Sequence, residues 1–347
     1  MPNKFEVDVC IVGAGPSGAF LGLLLAKKGL STLLLERTSG NTPAFRGEHI
    51  GAETEEMLKE HGLIEKVEEK GLLRTQRIDY IDHGNTLKSI YPGPNEKHLG
   101  IHVPQAHLIH TILDTAKNLP NFQLMYKTKV TELLTDEQGD IIGVQAKYGN
   151  ETFSVKSKLI IGADGRYSTV RKLANLEVKT RSHGFDVLWA KIPAPNGWEP
   201  TIKNTLIDGM QVAVFPQALG NVQIGWNIPK GSFLFLKKMP IEHIKEHLLQ
   251  HIPELRETVE TNLTSWKNII LLDVFSAVTS TWVKNRVVII GDAKLLVPYI
   301  YEAITSNNFD LLHEFERMRQ PEIDTLLQKQ VDSENNYAEN FKLPTVV

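Results

Sequence analysis

The sequence predicts an α/β protein, a Rossmann-like dinucleotide-binding domain of three layers (ββα) with a mainly antiparallel β-sheet domain inserted into it. Three observations carry this. In "VDVCIVGAGPSG" a continuous apolar strand runs directly into glycines in G-x-G-x-x-G spacing, and a helix follows. Glu36 closes the next apolar strand at the spacing, about 20 residues, where a carboxylate takes the ribose hydroxyls of an adenosine. From Arg181 to Val283 the pattern changes to short strands with aromatic residues, before "RVVIIGDA" returns to the parallel-strand idiom.

Taken in order, Val7 to Gly13 is a β-branched apolar run, as in a parallel strand covered on both faces. "PSGAFLGLLLAKKGL" reads as a helix with Gly29 near its C-terminus, and "STLLLER" as the second strand. A long loop, "TSGNTPAFRGEHIG", leads to a helical "AETEEMLKEHGL". "RTQRIDYID" and "TLKSIY" read as exposed strands joined through Gly84 and Asn85. "PQAHLIHTILDTAKNL" is an amphipathic helix, followed by strands at "FQLMY", "KVTELLT", "IIGVQAKYG" and "ETFSVKSKLIIGADG". "DVLWAKIP", "MQVAVFP" and "NVQIGWNIP" predict an antiparallel sheet, with a helix in "PIEHIKEHLLQHIPEL". The last stretch is helical and polar, fraying after Asp332. The expected division is 1–73, 99–180 and 284–347 for the nucleotide domain, and 74–98 with 181–283 for the substrate domain.

Composition excludes several classes. The chain has 347 residues, 41% apolar and 23% charged, with a net charge of −3, so acids and bases nearly balance. That gives no electrostatic case for a nucleic-acid or membrane partner. No apolar run reaches the roughly 18 residues of a membrane span, and Asp8 with the glycine turn interrupts any secretory-signal pattern. Cys10 is the single cysteine and lies inside the first strand, which fits a small core hydrophobe and a reducing, cytoplasmic setting. His243, His247 and His251 share one helix face and read as a solvated histidine face, with no metal site expected. His98, His102, His107 and His110 read as surface or interface histidines.

In the fingerprint, Gly13 allows the tight turn, Gly15 lets backbone approach a pyrophosphate, and Gly18 lets helix and sheet pack closely. Pro16 and Ser17 complete the loop, which delivers the phosphate to the helix N-terminus. The loop and Glu36 fit NAD and FAD equally, since both carry ADP. Two further motifs separate them. "KLIIGADGRYSTVRK" holds Gly162, Ala163, Asp164, Gly165, Ser168, Val170 and Arg171 in a G-A-D-G-x-x-S-x-V-R pattern, and "RVVIIGDA" holds Gly291 and Asp292 after a core strand. With these the chain resembles the group A flavoprotein monooxygenases, the p-hydroxybenzoate hydroxylase-like aromatic hydroxylases. Arg46 in "FRGEHI" and Gln105 in "PQAHL" match cofactor-contacting positions of that family.

The resemblance implies an extended FAD, with its adenosine on Glu36, its pyrophosphate on the first helix and its ribityl chain on Asp292. Its isoalloxazine would face the antiparallel sheet. Arg37, Val130, Asp164 and Gly291 belong to the same implied cofactor-binding set, and Asp164 with Arg171 is expected to organise the strand-to-helix corner rather than perform chemistry. NAD(P)H would reduce the flavin without a Rossmann domain of its own. A flavin C4a-hydroperoxide formed with O2 would then hydroxylate a small aromatic or polyketide-like substrate. Trp189, Phe215, Trp226 and Tyr299 are the candidates for its pocket; aromatics at such strand positions are also ordinary core. "QIGWNIPKG" shares Trp226, Ile228 and Pro229 with the W-x-W-x-I-P segment of flavin-dependent halogenases.

The family pattern breaks after the G-D motif. Pro298 is in place, but Lys294 and Leu295 replace a small residue and a histidine, and no G-x-G-x-N turn follows Tyr299. About 20 residues, or about 30 Å of helix, are missing relative to the pattern, and a cavity is the expected cost. Three readings stay open: a shortened form of a longer product, a flavoprotein with a weakened grip on FAD, and a relative without redox chemistry. A flavin-dependent reductase or halogenase is the further alternative.

Overall fold

The computed structural model describes residues 4–40, 48–290 and 294–341. They fall into two compact units, one of Met1–Ala44, Leu108–Thr180 and Ala277–Leu327, the other of Phe45–His107, Arg181–Ser276 and Gln328–Val347. The second unit thus takes residues 45–73, 99–107 and 328–347, which the sequence reading assigned to the first. Strand pairing within the second unit explains part of this: His49–Ile50 and Leu73–Arg74 both pair antiparallel with Ile101–His102.

The first unit is built on an eight-stranded sheet. Lys4–Val12 lies parallel between Glu151–Gly162 and Thr32–Leu35, Thr32–Leu35 continues to Phe122–Met125, and Val287–Ile289 joins on the far side of Glu151–Gly162. Val9, Cys10 and Ile11 have no exposed surface, as a strand covered on both faces requires. Burial pushes the Cys10 thiol pKa up to about 12, so this sulfur is an inert core group. Glu151–Gly162 is twelve residues long and serves twice. Its first half pairs antiparallel with Ile141–Tyr148, which pairs with Thr128–Thr135, and its second half enters the parallel sheet. The meander closes one face of the unit over Cys10, Leu33, Val144, Phe153 and Ile160. The helix Pro16–Lys27 packs against the strands with almost no polar face, since every residue from Gly18 to Ala26 is buried.

The second unit carries a seven-stranded sheet in the order Ile270–Leu272, Phe185–Pro193, Asn221–Pro229, Met210–Gln217, Thr201–Ile207, Arg77–Asp82 and Asn85–Ile90. It is antiparallel except where Thr201–Ile207 runs parallel to Arg77–Asp82. Thr201–Ile207 was not anticipated, because "TIKNTLI" mixes Lys203 and Asn204 into its apolar positions. The first hairpin turns at His83 and Gly84 (φ 44 and 79°), one residue earlier than expected, and Asn85 already belongs to the returning strand. One face of this sheet packs Leu188, Val212, Val214, Ile224 and Trp226 under the helix Ile241–His251 and its neighbour Arg256–Asn262. The end of the long helix Asp310–Asn336 is fastened through Glu334, which accepts from Gly184 N (2.9 Å) and pairs with His183 Nδ1 (2.6 Å). Among the described residues no helix is long and apolar enough to cross a membrane.

Candidate functional site

In the first unit the glycine loop is shaped by close packing. Gly13 has φ 107°, and a Cβ there would lie 2.5 Å from the Ala163 carbonyl oxygen. A Cβ on Gly18 would lie 2.0 Å from the Gly13 carbonyl oxygen. Gly15 differs: its Cβ would meet nothing within 4 Å, so the space in front of this residue is open to a ligand. Gly15 is the N-cap of the first helix and Pro16 opens its first turn; no side chain caps the amides and no acid stands there. A bare, positively polarised helix end facing open space is what a pyrophosphate requires.

Glu36 stands beside this loop. Its Oε2 accepts from Ala14 N at 2.9 Å and its Oε1 from Thr38 N at 2.7 Å. Those bonds hold the carboxylate at the loop and leave each oxygen further capacity for a ribose hydroxyl. Arg37 is exposed, whereas Val130 is 2% exposed and belongs to the core, so its side chain presents no contact surface. The Asp164 carboxylate is used locally. It accepts from Ser168 Oγ and from the amides of Thr169 and Val170, while Ser168 Oγ accepts from Arg171 N at 2.9 Å. Asp164 therefore builds the helix start at Thr169–Leu173. Arg46, Gly291 and Asp292 lie outside the described residues.

In the second unit, the sheet face opposite the helices is part polar and part aromatic. Trp189 lies across Gly225, where a Cβ would come within 2.6 Å of the indole ring. Its ring centroid is 5.9 Å from that of Phe215, which is 6.0 Å from that of His102. Two polar atoms on this face, Trp189 Nε1 and Gln217 Oε1, are buried and have no hydrogen-bond partner among the described residues. Around them, Gln217 Nε2 lies 3.4 Å from His102 Nδ1, and His102 Nε2 lies 3.3 Å from His49 Nδ1. Burial, reinforced by His49, lowers the His102 pKa to about 3, and burial lowers that of His49 too, so both rings are neutral near pH 7. Lys191 Nζ pairs with the buried Glu48 at 3.3 Å, and Gln105 N approaches the same carboxylate at 3.4 Å.

Trp189 and Phe215, two of the pocket candidates, thus lie together on one face of the sheet. Trp226 does not join them: it is 9% exposed and faces the opposite side of the sheet, within the core under the helices, because it is one residue out of phase with Gly225. Tyr299 belongs to the first unit, where its ring packs on Phe315 (5.2 Å) and its hydroxyl meets Met318 Sδ (3.4 Å). His98 and His102 are not surface residues: His102 is fully buried, and His98 pairs with the buried Glu55 at 3.2 Å. Sequence reasoning missed Glu48, His102, Lys191 and Gln217. The available signal was the placement of His102 between Ile101 and Val103, and of Lys191 two residues from Trp189 on one strand face.

The family described as "FAD binding domain" matches residues 6–299. The chain belongs to this FAD-binding family. It is 33% identical over 293 residues to a 6-methylpretetramide 4-monooxygenase of Streptomyces rimosus, covering 83% of this chain and 69% of that protein. It is 26% identical over 256 residues to a digeranylgeranylglycerophospholipid reductase of Methanococcoides burtonii, covering 72% and 60% respectively. Its fold matches the crystal structure of PqsL, a probable FAD-dependent monooxygenase from Pseudomonas aeruginosa, with a TM-score of 0.81 at 16% identity over 95% of this chain and 96% of that one. The protein is thus an oxidoreductase of the group A flavoprotein monooxygenase type, with FAD as its cofactor.

Proposed function

We propose that this chain uses NAD(P)H and O2 to hydroxylate a small aromatic or polyketide-like substrate, with FAD bound along its glycine loop. The observation that carries the substrate class is the face formed by Trp189 and Phe215 with the unpartnered Trp189 Nε1 and Gln217 Oε1. A flat ring stacks on the aromatic pair, the indole N–H donates to a substrate oxygen, and the amide oxygen accepts from a phenolic O–H. Buried polar atoms left without partners cost free energy, and a ligand with matching groups recovers it. The relative acting on 6-methylpretetramide supports the same class.

When bound, FAD supplies the redox chemistry, accepting electrons from NAD(P)H and passing them to O2. The chain's own residues position and insulate. Gly13, Gly15, Pro16, Ser17 and Gly18 present helix amides to the pyrophosphate, and Glu36 anchors the ribose. Neutral His102 and His49 add no positive charge beside the ring-binding face. The nearly balanced charge supports a cytoplasmic enzyme without a membrane or nucleic-acid partner.

The test is NAD(P)H oxidation and O2 uptake by the FAD-loaded protein across a panel of phenols and fused-ring polyketides, with mass spectrometry of the products. Substrate-stimulated O2 uptake with a product one oxygen heavier supports the proposal. The relative that is a reductase favours a second reading, flavin-dependent reduction of an unsaturated substrate. In that case a product two hydrogens heavier forms without O2.

A further inference from the structure

Away from the aromatic face, one end of the seven-stranded sheet carries a cluster that hydroxylation does not use. Arg77–Asp82 and Thr201–Ile207 are parallel neighbours, so the turns that follow them emerge at the same end. Both turns have two residues at positive φ, His83 and Gly84 in one, Asp208 and Gly209 (50 and 74°) in the other. Such tight two-residue hairpins hold their side chains in fixed directions. The helix Ile241–His251 reaches both. His247 Nδ1 lies 3.5 Å from Asp208 Oδ2, and the His251 ring lies 4.6 Å from the His83 ring. Asp82 Oδ1 is 2.7 Å from His83 Nδ1. One ligand atom each from Asp82, His83 and His251 lies within 4.8 Å of the others, and His251 Nδ1 is shut off from solvent without a hydrogen-bond partner among the described residues.

We propose that Asp82, His83 and His251 form a binding site for a divalent transition metal of the zinc class, joining the β-hairpin to the end of the helix. Two imidazole nitrogens and one carboxylate suit zinc and its neighbours, whereas magnesium and calcium select all-oxygen shells. Zinc bonds of about 2.0–2.1 Å put tetrahedral ligand atoms about 3.4 Å apart. Asp82 and His83 are largely exposed, with side chains 55% and 72% accessible, so rotamer changes of these two side chains can close the remaining distance. Three protein ligands leave the fourth position to water. The histidines at 243 and 247, whose rings lie 4.8 Å apart, form the competing pair on the same helix.

The experiment is calorimetric titration of the chelator-treated full-length protein with Zn2+, alongside thermal melts with and without the ion. The variants are His251→Ala, His83→Asn, which tolerates the positive φ, and His243→Ala. The expected result is one zinc per chain at micromolar affinity and a raised melting temperature in the wild type and His243→Ala. His251→Ala and His83→Asn should each weaken binding at least tenfold while keeping the wild-type circular dichroism. Wild-type zinc affinity in those two variants, loss of binding in His243→Ala instead, or millimolar binding by the wild type overturns the proposal. None of these readouts depends on flavin or on catalysis.

Discussion

Replacing Gly15 by alanine separates what the glycine loop does for FAD from what it does for the fold. Gly15 has φ −68° and ψ 178°, which alanine adopts without strain, and its Cβ would have no neighbour within 4 Å. The apoprotein should therefore keep its stability, or gain up to about 1 kcal/mol from a less flexible unfolded chain. The added methyl instead occupies the space where the pyrophosphate approaches the helix amides. Losing one or two charge-assisted hydrogen bonds, at about 1.5–3 kcal/mol each, raises the FAD Kd about 10- to 100-fold or more. Gly18→Ala is the counterpart. Its Cβ would meet the Gly13 carbonyl oxygen at 2.0 Å and the Ala163 Cβ at 2.9 Å, so the helix must shift away from the sheet. Overpacking of about 1–3 kcal/mol should lower the melting temperature by roughly 2–6 °C and weaken FAD as well. The assays are titration of apoprotein with FAD, followed by flavin fluorescence, and thermal melts by circular dichroism. If Gly15→Ala binds FAD like the wild type, the pyrophosphate does not lie on this turn and the assignment of the loop is refuted.

Gly225→Ala should displace the Trp189 ring and raise substrate KM about tenfold while leaving FAD affinity unchanged, as steady-state kinetics and flavin titration would show. Lys191→Met leaves the Glu48 carboxylate without its cation; urea unfolding should show a loss of about 2 kcal/mol, part of it restored in the Glu48→Gln/Lys191→Met double variant. His102 gives a pH signature. Its folded pKa of about 3 lies below the unfolded value of about 6.5, so the unfolded chain binds more protons between those values. Its contribution is complete above pH 6.5 and lost as pH falls; at pH 5 the loss is about 2 kcal/mol, and His102→Gln should flatten that slope in unfolding experiments at pH 5 to 7.5.

The nucleotide half was legible because its signals are local. Strand, glycine turn, helix and Glu36 follow one another within 36 residues, and Gly13 and Gly18 answer to backbone in that stretch or at the Ala163 corner, while Gly15 leaves space open. The sheet half was legible as strands but only in part as faces. Asn221–Pro229 alternates Val222, Ile224, Trp226 and Ile228 with Asn221, Gln223, Gly225 and Asn227, which already marks the apolar face of Trp226, but Phe185–Pro193 carries apolar residues on both sides, so nothing in "DVLWAKIP" says which way Trp189 faces. Register and the covering helices decide it, through the Trp189–Gly225 pairing. His102 with Gln217 and His83 with His251 join residues more than a hundred positions apart, and no periodicity reports such pairs.

The break in the family pattern has a physical form that its residues explain. Where a glycine turn was expected, Val297–Ser306 is a helix whose residues Val297, Ile300, Ala303 and Ile304 are buried, in i, i+3, i+4 phase. Asn307 ends it in the left-handed conformation at φ 55°, and Asp310 begins the next helix. The shortened connection is therefore a capped and packed element with apolar burial of its own. Pro298 sits in its first turn, where no amide hydrogen bond is lost, and among the described residues neither an acid in that turn nor a capping side chain occupies that end. At that end Val297 N already donates to the Lys294 carbonyl oxygen (3.3 Å) and Pro298 has no N–H, so an anion would meet the helix dipole and the remaining amides of the turn. Introducing a glutamate there, as Tyr299→Glu, tests whether they matter to flavin, with Tyr299→Gln as the uncharged control for the Phe315 and Met318 contacts that both variants lose. If the amides face the cofactor, Tyr299→Glu lowers FAD affinity about tenfold at low salt and less at high salt, whereas unchanged affinity at both confines this helix to packing.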